Sequence, residues 1–99
     1  MSRPRYYWHP IVRKMVMRYP KLNCENSIQE KAFKEAIETV KEKTFSLSNG
    51  DCRVEAVEDI LIKKTKTVYG VSQEMNYSWK TVQNWVNTFI RMVGKEVGY

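Results

Sequence analysis

Apolar side chains recur along this chain at three- and four-residue intervals, and polar or Pro- and Gly-bearing stretches separate the runs, a pattern that predicts helices. Pro10 suits the first position of a helix, where no backbone N–H is needed. Val12, Met15, Val16 and Tyr19 then form a stripe that stops before Pro20, giving a first helix over 10–19. Ser27 and Glu30 have capping-box spacing, and Ile28, Ala32, Ala36, Ile37 and Val40 follow at helical intervals to about Lys43. Residues 45–52, with Ser46, Ser48, Asn49 and Gly50, read as a turn-rich linker; Asn49-Gly50 is also a hairpin signal, but no alternating strand flanks it. After Asp51, Val54, Val57, Ile60 and Leu61 predict a third helix running to about Lys64.

The stretch 67–93, TVYGVSQEMNYSWKTVQNWVNTFIRMV, carries the most specific pattern. Its apolar positions Val71, Met75, Tyr77, Val82, Trp85 and Phe89 describe two helices meeting at a tight corner, a helix-turn-helix. Ser72 is small where the two helices would cross. Asn76 stands where the backbone turns out of the first helix toward positive φ, and Ser78 offers a hydroxyl N-cap to the second.

If Val82, Trp85 and Phe89 face inward, then Trp79, Lys80, Gln83, Asn84 and Asn87 face outward, on the surface such a motif presents to a DNA major groove. The amides of Gln and Asn carry a donor beside an acceptor, which matches the N6 and N7 edge of adenine, while Lys reaches guanine acceptors or a phosphate. These five are the candidate base-reading residues. Lys63, Lys64 and Lys66 at the entrance to the motif, Ser78, Arg91, and Arg3 and Arg5 near the N-terminus are candidate phosphate contacts. The alternative is that the polar positions form only a solvated helix surface.

Charge is unevenly placed, and its placement supports a polyanion partner. Residues 1–22 hold six basic and no acidic side chains, residues 23–62 five basic against nine acidic, and residues 63–99 six basic against two acidic. Within the net charge of +6, the positive field therefore coincides with the proposed reading helix. At 99 residues, with twelve per cent aromatics, the chain fits one domain with a real core. The expected organisation is a basic, aromatic arm over 1–9 followed by a single helical domain over 10–99. Tyr6, Tyr7 and Trp8 of the arm either lie along DNA with Arg3 and Arg5 or pack back onto the domain.

Cys24, Cys52 and the single His9 offer no zinc spacing, so no metal or cofactor is expected, and the cysteines read as small buried or half-buried side chains. No signal peptide or 18-residue apolar run is present, which points to a cytoplasmic protein without a membrane partner. Nor do Ser, Cys and His show triad spacing or the glycines a phosphate loop; no enzymatic activity is expected. On the charged helix before residue 45, Glu30, Glu35, Glu38 and Glu42 alternate with Lys31, Lys34, Lys41 and Lys43, as on a salt-bridged solvent face. Gly94 and Gly98 suggest that the last helix loses order near its end.

Two parts of the chain resemble the small phage-encoded activators of late transcription, the RinA and ArpU group of Gram-positive phages and prophages. One is the order EAVEDILIKKT, then TVYGVSQEMNYSWKTVQNWVNTFI, then RMVGKEVG, in which the central piece is similar to the helix-turn-helix of sigma-70 region 4. The other is the opening RPRYYWHPIVRKMVMRYP. Met75-Asn76-Tyr77-Ser78 stands where that motif usually has Leu-Gly-Val-Ser, and Trp79 replaces a polar first-turn residue.

The periodicity predicts an all-α small helical bundle with a C-terminal helix-turn-helix. The resemblance implies, beyond this, a positive regulator that binds double-stranded DNA near a late promoter and helps host RNA polymerase. A single motif of this size buries little DNA surface, so either a homodimer or the polymerase is expected to assist. Trp79 and the Phe89, Ile90, Met92 and Val93 cluster are the sequence's candidates for a dimer interface, unless that stripe is core. Two other readings stand beside it: a DNA-packaging factor like the terminase small subunits, and a phage protein–protein interaction factor whose helix-turn-helix does not read DNA.

Overall fold

The C-terminal apolar stripe sets the packing. Residues 82, 85, 86, 89, 90 and 93 recur at three- and four-residue intervals, so the 18-residue helix Trp79–Glu96 buries one side along most of its length. The computed structural model describes residues 8–19 and 28–98. Among them are five helices, α1 (His9–Met17), α2 (Ile28–Phe45), α3 (Gly50–Val57), α4 (Val68–Met75) and α5 (Trp79–Glu96), with no strand. The fold is an all-α small helical bundle, as the periodicity predicts.

Two buried clusters share α3 and α5. The larger joins Trp8, Val12 and Val16 to Phe33, Ile37 and Val40 of α2, Leu61, and Phe89, Ile90 and Val93 of α5. The smaller consists of Ala56, Val71, Val82 and Trp85, with Met75 and Tyr77 packed against it. Ile60 touches both. Each such side chain, once fully buried, contributes roughly 1.5–3 kcal/mol, so the two clusters dominate the stability of the bundle. The Phe89, Ile90 and Val93 stripe is core, with Met92 half-buried beside it, so these side chains are not free to form the interface considered above.

Helix α1 begins one residue before Pro10 and stops at Met17, short of the expected Tyr19; the Arg18 N–H is shared between the Lys14 and Met15 carbonyls as the last turn tightens to 3₁₀ geometry at Tyr19. Trp8 is already core, so this aromatic packs back onto the domain; Arg3, Arg5, Tyr6 and Tyr7 lie outside the described residues. In α2 the buried stripe is Phe33, Ala36, Ile37, Val40 and Thr44. Ala32, expected inside, is exposed, and the neighbouring Phe33 takes the inward position because its ring removes far more apolar surface from water. The Ser27 cap, the Ile28 side chain and Cys24 lie outside the described residues. Four polar side chains of α2 pair beyond the helix: Glu30 with Arg18, Glu38 accepting from the Tyr19 hydroxyl, Lys41 with Glu58, and Lys43 with Glu96. The expected salt-bridged face thus ties helices together.

Helix α3 starts at Gly50, inside the predicted linker. Asn49 is left-handed (φ 57°), and Gly50 sits so close under the carbonyls of Thr44 and Phe45 that a Cβ would collide with them. After Val57 the helix widens into a π-helical turn, Glu58–Ile62, in which the Lys63 N–H donates to the Glu58 carbonyl at 2.7 Å. This turn buries Asp59, whose carbonyl accepts from Thr65 and Lys66, so the α3–α4 loop folds back on the end of α3.

Gly94 does not end α5. The helix runs on to Glu96, and Gly94 is buried under the Trp8 indole, where a Cβ would overlap Cζ3, Cη2 and Cε3. Gly98, at φ 103°, follows the helix end in the usual left-handed stop.

Candidate nucleic-acid interface

Local chemistry fixes the α4–α5 corner. The Thr67 hydroxyl caps α4 by accepting from Gly70 N–H at 3.0 Å. Ser72 is buried and satisfies its own hydroxyl by donating to the Tyr69 carbonyl at 2.7 Å. Asn76 then turns left-handed (φ 62°, ψ 37°), and the Tyr77 N–H donates back to the Ser72 carbonyl. Ser78 caps α5, its hydroxyl accepting from Thr81 N–H at 3.2 Å and lying 2.9 Å from the Thr81 hydroxyl. Corner and cap thus form where the sequence predicts them, since both depend only on nearby residues.

Packing then orients α5. Trp85 is only 6% exposed, edge-on to Tyr77, with the Arg53 guanidinium 5.9 Å from its ring centre. Val82 is fully buried beside it. At about 100° per residue this places Lys80, Gln83, Asn84, Asn87 and Arg91 within an arc of about 100° turned away from Trp85, with Trp79 in the first turn at its edge, in line with the buried Val86 and Ile90. Trp79 is 53% exposed; Lys80, Asn84 and Arg91 are exposed, and Gln83 and Asn87 half-buried. From Trp79 to Arg91 the face extends about 18 Å, long enough to lie along a major groove.

Within the face, side chains four apart form a row, Trp79–Gln83–Asn87–Arg91. Gln83 Nε2 donates to Asn87 Oδ1 at 3.3 Å. Arg91 reaches the Thr88 hydroxyl at 3.5 Å.

The lysines ahead of α4 separate into two kinds. Lys63 and Lys64 are exposed, and among the described residues neither has a carboxylate within ion-pair distance; Lys64 sits at φ 58°. Lys66, by contrast, lies 2.7 Å from Glu74 and 3.4 Å from Asp59. Its hydrogen bond to Glu74 raises the ammonium pKa above the ordinary lysine value. Its charge is therefore matched from both sides, and a phosphate would have to displace a carboxylate to reach it.

The sequence reading missed four contributors to this surface. Glu74 and Asp59 hold Lys66, Arg53 covers Trp85, and Tyr69 on α4 projects 65% exposed. Tyr69 could have been found from its place on the polar side of α4, two residues before Val71; the other contacts join separate elements and leave no mark in local spacing. Among the described residues no helix is long and apolar enough to cross a membrane, and no group of three or more His, Cys, Asp or Glu is placed to hold a metal. No family model, curated protein or solved structure matches the chain.

Proposed function

We propose that this protein is a sequence-specific DNA-binding regulator, non-enzymatic, of the kind that activates late phage genes with host RNA polymerase in the bacterial cytoplasm. The observation that carries the reading is the first half of α5: burial of Trp85 turns a continuous row of amides and cations to solvent directly after a capped, left-handed corner. Lys80, Gln83, Asn84 and Asn87 read base edges. Lys63, Lys64, Arg91 and the N-cap at Ser78 meet phosphates, with Arg3 and Arg5 of the arm joining them and Lys66 doing so only on release from Glu74.

The test is selection of a cognate site from randomised duplexes, followed by binding of variants. Gln83→Ala or Asn84→Ala should cost about 1–3 kcal/mol on the selected site and nothing on unrelated duplexes. Lys64→Ala should weaken all duplexes alike and lower the salt slope by about one. Unchanged binding of the selected site by both amide variants would remove base reading by α5. A footprint upstream of a late promoter supports regulation, whereas protection at a packaging start site would assign the terminase-like role.

One observation favours a second reading. Tyr69 and Trp79 expose large aromatic surface on the two helices of the corner, and aromatic anchors are enriched at protein interfaces. On that reading the corner docks a protein, host polymerase or a second copy of the chain, and Trp79→Ala abolishes that contact while duplex affinity stays.

A further inference from the structure

We infer that Gln83 and Asn87 act as one unit that selects an A·T pair, with Trp79 one turn earlier in the same row meeting the methyl of a thymine in the neighbouring base pair. The inference rests on the DNA-reading proposal above. A primary amide carries two N–H donors and an acceptor oxygen. Gln83 commits one Nε2 hydrogen to Asn87 Oδ1, and this holds the plane of its amide. Oε1 and the second hydrogen remain side by side.

Adenine offers N6–H and N7 in the matching order, so Oε1 accepts from N6 while Nε2 donates to N7. Guanine presents O6 where adenine has N6–H, and two oxygens would then face each other. Asn87 holds the Gln83 amide through one lone pair of Oδ1 and acts on this pair as a positioning residue. Trp79 is four residues before Gln83, about 6 Å along the axis. Its exposed indole is the apolar surface in the row, and a thymine C5-methyl is the apolar group of the major groove.

The experiment measures binding of the intact chain to its selected duplex carrying 7-deazaadenine for adenine, or uracil for thymine, one position at a time. One adenine should lose about tenfold in affinity on removal of N7. Gln83→Ala should erase that discrimination, and Asn87→Ala should erase it at the same base pair, with the double variant no worse than either alone. A merely structural loss at Asn87 would weaken adenine and 7-deazaadenine duplexes equally. Uracil next to that position should weaken the parent and leave Trp79→Ala unaffected.

A selected site with no sensitive adenine, or additive effects of the two amide variants on different base pairs, would overturn the unit while DNA reading stands. Failure to bind any duplex at low salt would instead remove the parent reading and this inference with it.

Discussion

Tyr77 meets Trp85 edge-on, with ring centroids 4.8 Å apart and planes inclined by 68°. That contact locks the corner between α4 and α5 to the rotation of α5, because Tyr77 belongs to the corner and Trp85 lies nearly two turns into the helix. Edge-to-face pairs add about 0.5–1.5 kcal/mol beyond the area they bury. Trp85→Ala is expected to destabilise the bundle by about 3–5 kcal/mol, measured by urea unfolding, and Tyr77→Leu by less, since leucine keeps the burial and loses only the ring geometry. An unfolding midpoint unmoved by Trp85→Ala would mean that the indole does not anchor the helix.

Gly94→Ala should reverse the usual sign of a helical glycine substitution. At an open helix position alanine is favoured by about 1 kcal/mol. Here a methyl would overlap the Trp8 indole, and overpacking of this kind costs roughly 1–3 kcal/mol. The clash disappears in Trp8→Ala, so Gly94→Ala made in that background should be neutral or stabilising. Thermal unfolding of the four proteins in the cycle checks it; equal effects of Gly94→Ala in both backgrounds would show that the two residues do not meet.

Asn76 holds a left-handed backbone without being glycine (φ 62°). Asparagine tolerates that region better than other side chains, and a branched one is penalised by about 1–2 kcal/mol. Asn76→Val should therefore lower stability by roughly that amount, and Asn76→Gly should leave it equal or slightly higher. If valine were tolerated as well as glycine, the corner would not depend on the left-handed turn.

These residues mark what the sequence makes legible. Asn76, Ser78, Val82 and Trp85 act on neighbours within one or two turns, so spacing alone located the corner, the cap and the buried side of α5. Gly94 misled because its reason, the ring of Trp8, lies 86 positions away in the chain. The choice between Ala32 and Phe33 depended on which of two adjacent apolar residues the other helices would meet. The π-helical turn at Glu58–Ile62 has no local sequence signature. Its consequence, the burial of Asp59 and capture of Lys66, was equally out of reach.

Lys66 supplies a pH-dependent contribution whose sign follows from its partners. The hydrogen bond to Glu74 is the largest cause raising its pKa above the ordinary 10.5, with Asp59 adding to it. A raised lysine stabilises the fold fully below its unfolded value and ceases to do so as pH climbs through the folded one. The stability difference between the parent and Lys66→Met should therefore be flat from pH 7 to about 10 and shrink above 10.5. Urea midpoints across that range test it; a difference that persists undiminished at the alkaline end would mean that the ammonium charge does not do the holding. Glu74→Gln isolates the functional side. It leaves Asp59 in place, frees part of the Lys66 charge, and on the DNA-binding proposal should raise affinity for all duplexes at low salt, with a salt slope steeper by up to about one. Unaltered duplex binding in Glu74→Gln would mean that Lys66 stays with Asp59 and takes no part in holding phosphate.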